Sequence, residues 1–178
     1  MWIVSSLPYL TPQADGQVDA WSQEASAAGR SGSQVIRGAG LEMAPVEVAL
    51  GLALPEGARA VVRRRTMLLD GRPVELTDSW YPPQIAAETA LAAPGKIRGG
   101  AITLLATLGH RVHEAREDIS VRVVSAEEAD LLEVTAGSSA IVLFRACLTE
   151  AGMPVEVSVS VMPAEGRHLR YRLIAGGA

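Results

Sequence analysis

The sequence predicts an α+β domain, a single antiparallel β-sheet flanked by short helices. Three observations carry that reading. Two stretches of alternating residues fold back on themselves at glycine turns, as hairpins do. The helical segments between the strands are short. Strands and helices are grouped rather than strictly alternating, which disfavours a parallel βαβ arrangement.

Taken in order, Ser5 to Gln17 is rich in Pro, Gly and polar residues, so residues 1–18 read as an extended lead-in and 19–178 as the domain. Asp19 is placed to cap a helix over Ala20 to Ala28, broken by Gly29 to Ser33. Gln34 to Met43 follows as a strand, and Pro45 opens a short helix through Leu52. Ala58 to Leu69, the turn Asp70-Gly71 and Val74 to Tyr81 form the first hairpin. Pro82 and Pro83 start a helix over Gln84 to Leu91, and Gly99-Gly100 precedes another over Ala101 to Leu108. Arg111 to Val124 is a long strand, and Ser125-Ala-Glu-Glu128 is a capping box for a helix through Leu132. Ser139 to Thr149 and Val155 to Met162 make the second hairpin, and Leu169 to Ile174 a last strand.

The chain also matches itself. At an offset of eighty residues, Pro45 to Leu69 aligns with Ser125 to Thr149. The identities are Glu47/Glu127, Ala49/Ala129, Leu52/Leu132, Gly57/Gly137, Ala60/Ala140, Val62/Val142, Arg65/Arg145 and Leu68/Leu148. One residue is inserted at the turn, after which Gly71-x-Pro73-Val74-Glu75 meets Gly152-x-Pro154-Val155-Glu156. Shared turn chemistry accounts for the glycines but not for the paired Arg and paired Glu. Two copies of a helix–hairpin unit in one sheet, about a pseudo-twofold axis, are the expected arrangement, with convergent hairpins as the alternative. A cleft between equivalent halves suits a small ligand.

Composition narrows the function. The 178 residues carry a net charge of −4, so the basic face that phosphate neutralisation requires of a DNA-binding domain is missing. Fifteen of the sixteen basic residues are Arg, which fits a GC-rich coding bias. Cys147, the single cysteine, lies in an apolar run and reads as core in a reducing compartment. Neither a signal peptide nor a membrane-spanning run is visible, so a cytoplasmic protein without membrane partners is expected.

Arg63 and Arg65 share one face of a half-buried strand, and such a pair requires an anionic partner. That partner is either a ligand's phosphate or carboxylate, gripped in bidentate fashion, or a carboxylate of the chain such as Glu75, Glu117 or Glu156. Arg65 is favoured because the repeat preserves it. Glu156, like Glu75, either accepts from a ligand or balances the arginines. Ser79-Trp80-Tyr81-Pro82 lines a pocket or covers the sheet edge. Arg98-Gly99-Gly100 offers backbone N–H groups at a helix start. His110-x-x-His113 lacks a third ligand at metal spacing and reads as solvated. No metal site, cofactor motif or catalytic triad is recognisable.

The run Val61-Val-Arg-Arg-Arg65, Leu69-Asp-Gly-Arg-Pro-Val-Glu75 and Ser79-Trp-Tyr-Pro82 resembles the UTRA domain, the effector-binding domain of the HutC subfamily of GntR transcription regulators. Ala44-Pro45, Gly99-Gly100, Glu117-Asp-Ile119, Glu127-Glu128-Ala129, Gly152-Met-Pro-Val-Glu156 and Arg170-Tyr171-Arg172 agree, so the resemblance covers about Ala20 to Leu173. It implies a chorismate-lyase-like fold, a homodimer, and a non-enzymatic domain that senses a small, anionic effector. The implied ligand-binding residues are Arg63, Arg65, Thr77, Ser79, Tyr81, Gly99, Gly100, Glu156 and Tyr171. Gly100, Ile102 and Thr77 stand where the family's sugar-phosphate sensors tend to carry Ser, Tyr and Glu, which speaks against a sugar phosphate. Met1 leads almost directly into the sensing domain where the family usually has a winged helix-turn-helix. DNA contact is therefore expected only through an absent or partner winged helix domain. The alternatives are a chorismate-lyase-like enzyme acting on an aromatic acid and a structural dimerisation module.

Overall fold

The computed structural model describes residues 2–14 and 17–172. Six antiparallel strands form one sheet in the order β2-β3-β4-β7-β6-β5, with β2 at Gly32–Met43, β3 at Arg59–Leu69 and β4 at Arg72–Tyr81. Its other half is β5 at Glu114–Val123, β6 at Ser139–Leu148 and β7 at Pro154–Pro163. Two three-residue strands, β1 (Trp2–Val4) and β8 (Arg167–Leu169), pair in parallel beside it.

The helices are α1 (Ala20–Ala27), α2 (Val46–Gly51), α3 (Pro83–Ala86), α4 (Ala101–Thr107) and α5 (Ala126–Leu132). The Asp19 side chain caps α1 by accepting from the Ser22 N–H, and Ser125 with Glu128 forms the full capping box of α5. Pro45 is the N-cap of α2 rather than its first helical residue. The predicted helix over Gln84 to Leu91 divides into α3 and a 3-10 turn at Ala90–Ala92. Thr89 causes the break: it is extended, and its hydroxyl caps the Leu91 N–H. Beyond β8, residues 170–172 have no regular structure, and the rest of the predicted last strand, Leu173 and Ile174, lies outside the described residues.

The repeat is visible in the sheet. Each unit is a strand, a short helix and a hairpin, β2-α2-β3-β4 and β5-α5-β6-β7, and the two join where β4 pairs with β7. Asp78 sits opposite Val159, its own counterpart at the offset of eighty-one, so the pseudo-twofold axis passes between them. On one sheet face, α2 buries Val48 and Ala49 with Leu52 against Val62, Trp80, Ala146 and Val157. On the same face, α5 buries Ala129 and Leu132 against Leu76 and Val161. The opposite face is covered by α1, through Trp21 and Ala25, and by α3, the 90–92 turn and α4, through Ala86, Leu91 and Leu105. At Gly32 a Cβ would stand 2.7 Å from that of Ala25, so only glycine lets β2 pass this close beneath α1.

Leu52 and Leu132 are repeat counterparts, 3% and 2% exposed, whereas Leu50 is 73% exposed. Leu52→Ala and Leu132→Ala are each expected to cost roughly 2–5 kcal/mol, through lost burial and a residual cavity. Leu50→Ala should stay within about 0.5 kcal/mol. Urea denaturation of the three variants checks this, and unequal classes for Leu52 and Leu132 would contradict equivalent helix packing.

Candidate functional site

Alternation along the strands sends residues 63, 65 and 67 of β3 and 75, 77 and 79 of β4 to the face beneath α1 and α4. The register carries that face across the sheet: Arg65 opposes Thr77, and Thr77 opposes Ser160. Arg63 opposes Ser79, Ser79 opposes Ser158, Ser158 opposes Arg145, and Arg145 opposes Glu117. The result is a polar band on an otherwise apolar sheet. Above it lies a cavity of about 110 Å³, floored by Arg65, Met67, Glu75, Thr77, Arg145, Glu156, Ser158 and Ser160. Its walls include Trp21 of α1 and Gly99, Gly100, Ala101 and Ile102 at the start of α4. Pro8, Tyr9, Thr11 and Gln13 close it over the top. The lead-in is thus built into the domain: the Gln13 N–H donates to Thr103 Oγ1 at 2.9 Å, and β1 pairs with β8.

The two strand arginines have different occupations. Arg63 is 3% exposed and donates to the carbonyl oxygens of Ala90 at 3.0 Å, Leu91 at 3.2 Å, Gly95 at 2.7 Å and Ala93. It does not line the cavity; it ties the 90–95 segment to the sheet, and burial lowers its proton affinity. Arg65 does line the cavity. Its Nη2 donates to Ser79 Oγ at 2.9 Å, and its buried Nε has no partner.

Glu156 is 7% exposed, accepts from Ser79 Oγ at 3.5 Å, the long limit for such a bond, and has the buried Tyr81 hydroxyl beside it, while its Oε2 makes no hydrogen bond of good geometry. Burial raises its pKa above the ordinary carboxylate range, although Arg65 and Arg145 pull the other way. Thr77 lines the floor, donating to Glu75 Oε1 at 2.7 Å and lying 3.0 Å from Ser160 Oγ. Ser79 and Tyr81 are fully buried beneath the floor, while Trp80 points to the α2 face and carries the Arg64 guanidinium 5.7 Å from its ring centre. Gly99 and Gly100 have φ of +74° and +86°, the left-handed values that bring the α4 start up against the cavity. Tyr171 is 44% exposed and lies beside Glu117, outside the lining.

Arg145 is the floor residue that strand reasoning passed over, although its pairing with Arg65 in the repeat was the available signal. Its Nε donates to Glu117 Oε1 at 2.6 Å and its Nη2 to Ser6 Oγ at 3.0 Å. Gln13, Tyr9 and Ser158 carried no sequence signal. Among the described residues no cluster of His, Cys, Asp or Glu could hold a metal ion. Cys147 is buried, and burial pushes its thiol pKa up.

A six-stranded antiparallel sheet with a roofed polar cavity on one face defines a ligand-accommodating α+β domain. A model of the UTRA domain matches residues 27–166, and the chain belongs to the UTRA domain family. An uncharacterized HTH-type transcriptional regulator of Streptomyces coelicolor is 35% identical over 121 residues, covering 66% of this chain and 45% of that protein. The chain thus corresponds to less than half the length of this relative. The effector domain of PhnF from Mycobacterium smegmatis superposes with a TM-score of 0.74 at 19% identity, covering 93% of this chain and 99% of that one. The C-terminal domain of the histidine utilization repressor from Pseudomonas syringae gives 0.64 at 20% identity, covering 80% and 99%.

Two outcomes test this geometry. Arg63→Ala orphans four carbonyl groups and is expected to destabilise the domain by roughly 3 kcal/mol, with faster amide exchange confined first to residues 90–95. Equal stability of wild type and variant would remove the tethering role. For Glu156, a raised folded pKa means that stability is fully present below the unfolded carboxylate value of about 4 and is lost as pH rises through the folded value. Glu156→Gln should therefore gain on wild type with rising pH in denaturation curves, and a constant difference would contradict the burial effect.

Proposed function

We propose that this chain is the effector-binding part of a GntR/HutC-type transcription regulator, non-catalytic, holding a small ligand with an acidic group in the cavity over β3, β4 and β7. One observation carries the reading: inside a roofed cavity, Arg65 Nε and Glu156 Oε2 are both buried and both lack partners. Unpartnered buried polar atoms are costly to a fold that gains nothing from them, and a ligand that satisfies both offsets that cost. The relatives support the assignment, since the curated one is a transcriptional regulator and PhnF contributes a domain described by its effector role.

Arg65, Thr77, Glu156 and the Gly99-Gly100 helix start contact the ligand in this reading. Ser79 and Tyr81 position Arg65 and Glu156 from beneath, and Tyr171 acts from outside, through Glu117. Binding is transmitted by differential affinity for two arrangements of a homodimer. The exposed Ile119, Val121 and Val123 on the free edge strand β5 favour such pairing. Contact with DNA falls to a winged helix domain of a longer protein or a partner, and the site of action is the cytoplasm. No helix among the described residues is long and apolar enough to cross a membrane.

A thermal-shift screen of small carboxylic, sulfonic and phosphoric acids tests the proposal, because a ligand raises the melting temperature by mass action. A binder should shift wild type by several degrees and Arg65→Ala not at all, with the variant's own melting temperature nearly unchanged. Unfolding of Arg65→Ala would make the arginine a structural counter-charge, and conversion of an aromatic acid to product would replace the sensor with an enzyme.

A further inference from the structure

The charged side chains around the cavity divide into those the fold occupies and those it leaves. Arg145 is paired with Glu117 at 2.6 Å. Asp19 caps α1 and lies 3.6 Å from Lys96. Glu75 accepts from Thr77 and lies in the field of the buried Arg167. Among the described residues lining the cavity, Arg65 and Glu156 remain, one cation and one carboxyl. They are joined through the Ser79 hydroxyl, at 2.9 Å and 3.5 Å, with the buried Tyr81 hydroxyl beside them. Each keeps one buried polar atom without a partner.

We infer that the effector is a small zwitterion, with an acidic group held by Arg65 and a cationic amine held by Glu156. This rests on the reading of the cavity as the effector site and adds the second, basic group. A multiply charged anion fits the lining poorly, because three carboxyl side chains, Asp19, Glu75 and Glu156, face the same space as the two arginines. Arg65 and Arg145 offset the burial of Glu156 only in part, so its ionised form gains from a cation in direct contact, which a neutral hydroxyl does not supply. An ammonium supplies that contact, through a charge-assisted hydrogen bond. Burial raises the Glu156 pKa, so a cation in contact with it stabilises the ionised form against that burial. The cavity, at about 110 Å³, suits a compact molecule.

Isothermal titration of the full chain with glycine, β-alanine and γ-aminobutyrate, the matched hydroxy acids, the unsubstituted acids and inorganic phosphate separates the outcomes. At least one amino acid is expected to bind about tenfold or more tightly than its hydroxy and unsubstituted counterparts, a difference of about 1.4 kcal/mol. Glu156→Gln, which keeps the side chain's shape, should abolish that preference while still binding the unsubstituted acid. Arg65→Met should lose every probe, with circular dichroism confirming that both variants are folded. Tightest binding of phosphate or a hydroxy acid overturns the zwitterion, as does an amine preference that survives Glu156→Gln. In both cases Arg65-dependent binding keeps the effector site. If no probe binds in an Arg65-dependent way, the zwitterion and the effector site both fall.

Discussion

The pairing of β4 with β7 is the constraint on which the rest of the structure depends. It joins the two repeat units into one sheet and sets which side chains meet across the axis, with Thr77 opposite Ser160, Asp78 opposite Val159 and Ser79 opposite Ser158. Because side chains alternate, a slip of one residue would invert one unit relative to the other. In the inverted unit, Leu76 and Trp80 of β4, or else Val157 and Val161 of β7, would turn from the α2 and α5 layer to the polar band, and Ser79 or Ser158 would face α2 and α5. The apolar cores on the two faces therefore lock the register, and the register lines up the hydroxyls of the cavity floor.

The repeat gives the site its chemistry because the two units differ at two positions. Arg145 faces Glu117 across β5 and β6, and the pair closes at 2.6 Å. Arg65 faces Ile36 in the corresponding position of β2 and β3. An arginine with a carboxylate opposite is neutralised by its own sheet, whereas one with an isoleucine opposite is left for something else. A second divergence sets Arg63 against Leu143, its counterpart, and binds that arginine to the backbone of the 90–95 segment. That segment runs from α3 toward α4. Holding it against β3 helps to place Gly99 and Gly100 at the cavity wall, so Arg63 serves the site from a distance while Arg65 stands in it.

The sheet, its hairpins and its internal symmetry were legible in the sequence because alternation, glycine turns and a capping box are local signals. The repeat offset alone implied a pseudo-twofold axis and paired Arg65 with Arg145, and the register of β4 with β7 placed that axis. What local pattern does not carry is the fate of each arginine. Arg63 and Arg65 share a face and a spacing, and only the path of residues 90–95, fixed by packing around Leu91 and Leu105, separates them. The same holds for the lead-in. Its Pro and polar residues read as extended chain, and its role as the cavity roof depends on contacts with Thr103 and Arg145, some ninety and more residues away. The helix over Gln84 to Leu91 was broken by Thr89, whose hydroxyl competes for a backbone N–H, a choice that propensity alone leaves open.

The roof also bears on how occupancy can be communicated. Tyr9 and Gln13 line the cavity, and Ser6 accepts from Arg145 on its floor. Residues 6 to 13 are therefore held partly by Arg145, which shares the cavity floor with Arg65 and Glu156. In the effector reading, a ligand that fills the space beneath Tyr9 alters the free energy of seating this segment, without any movement of the six-stranded sheet. The sheet is locked by apolar contacts on both faces, whereas the roof is held by a few polar contacts and the packing of Tyr9 and Leu10. In the effector reading, the roof is thus the element whose position a ligand can bias at least cost. It enters the domain through β1, paired with β8 beside the sheet, so a change in seating reaches the chain's N-terminal side directly.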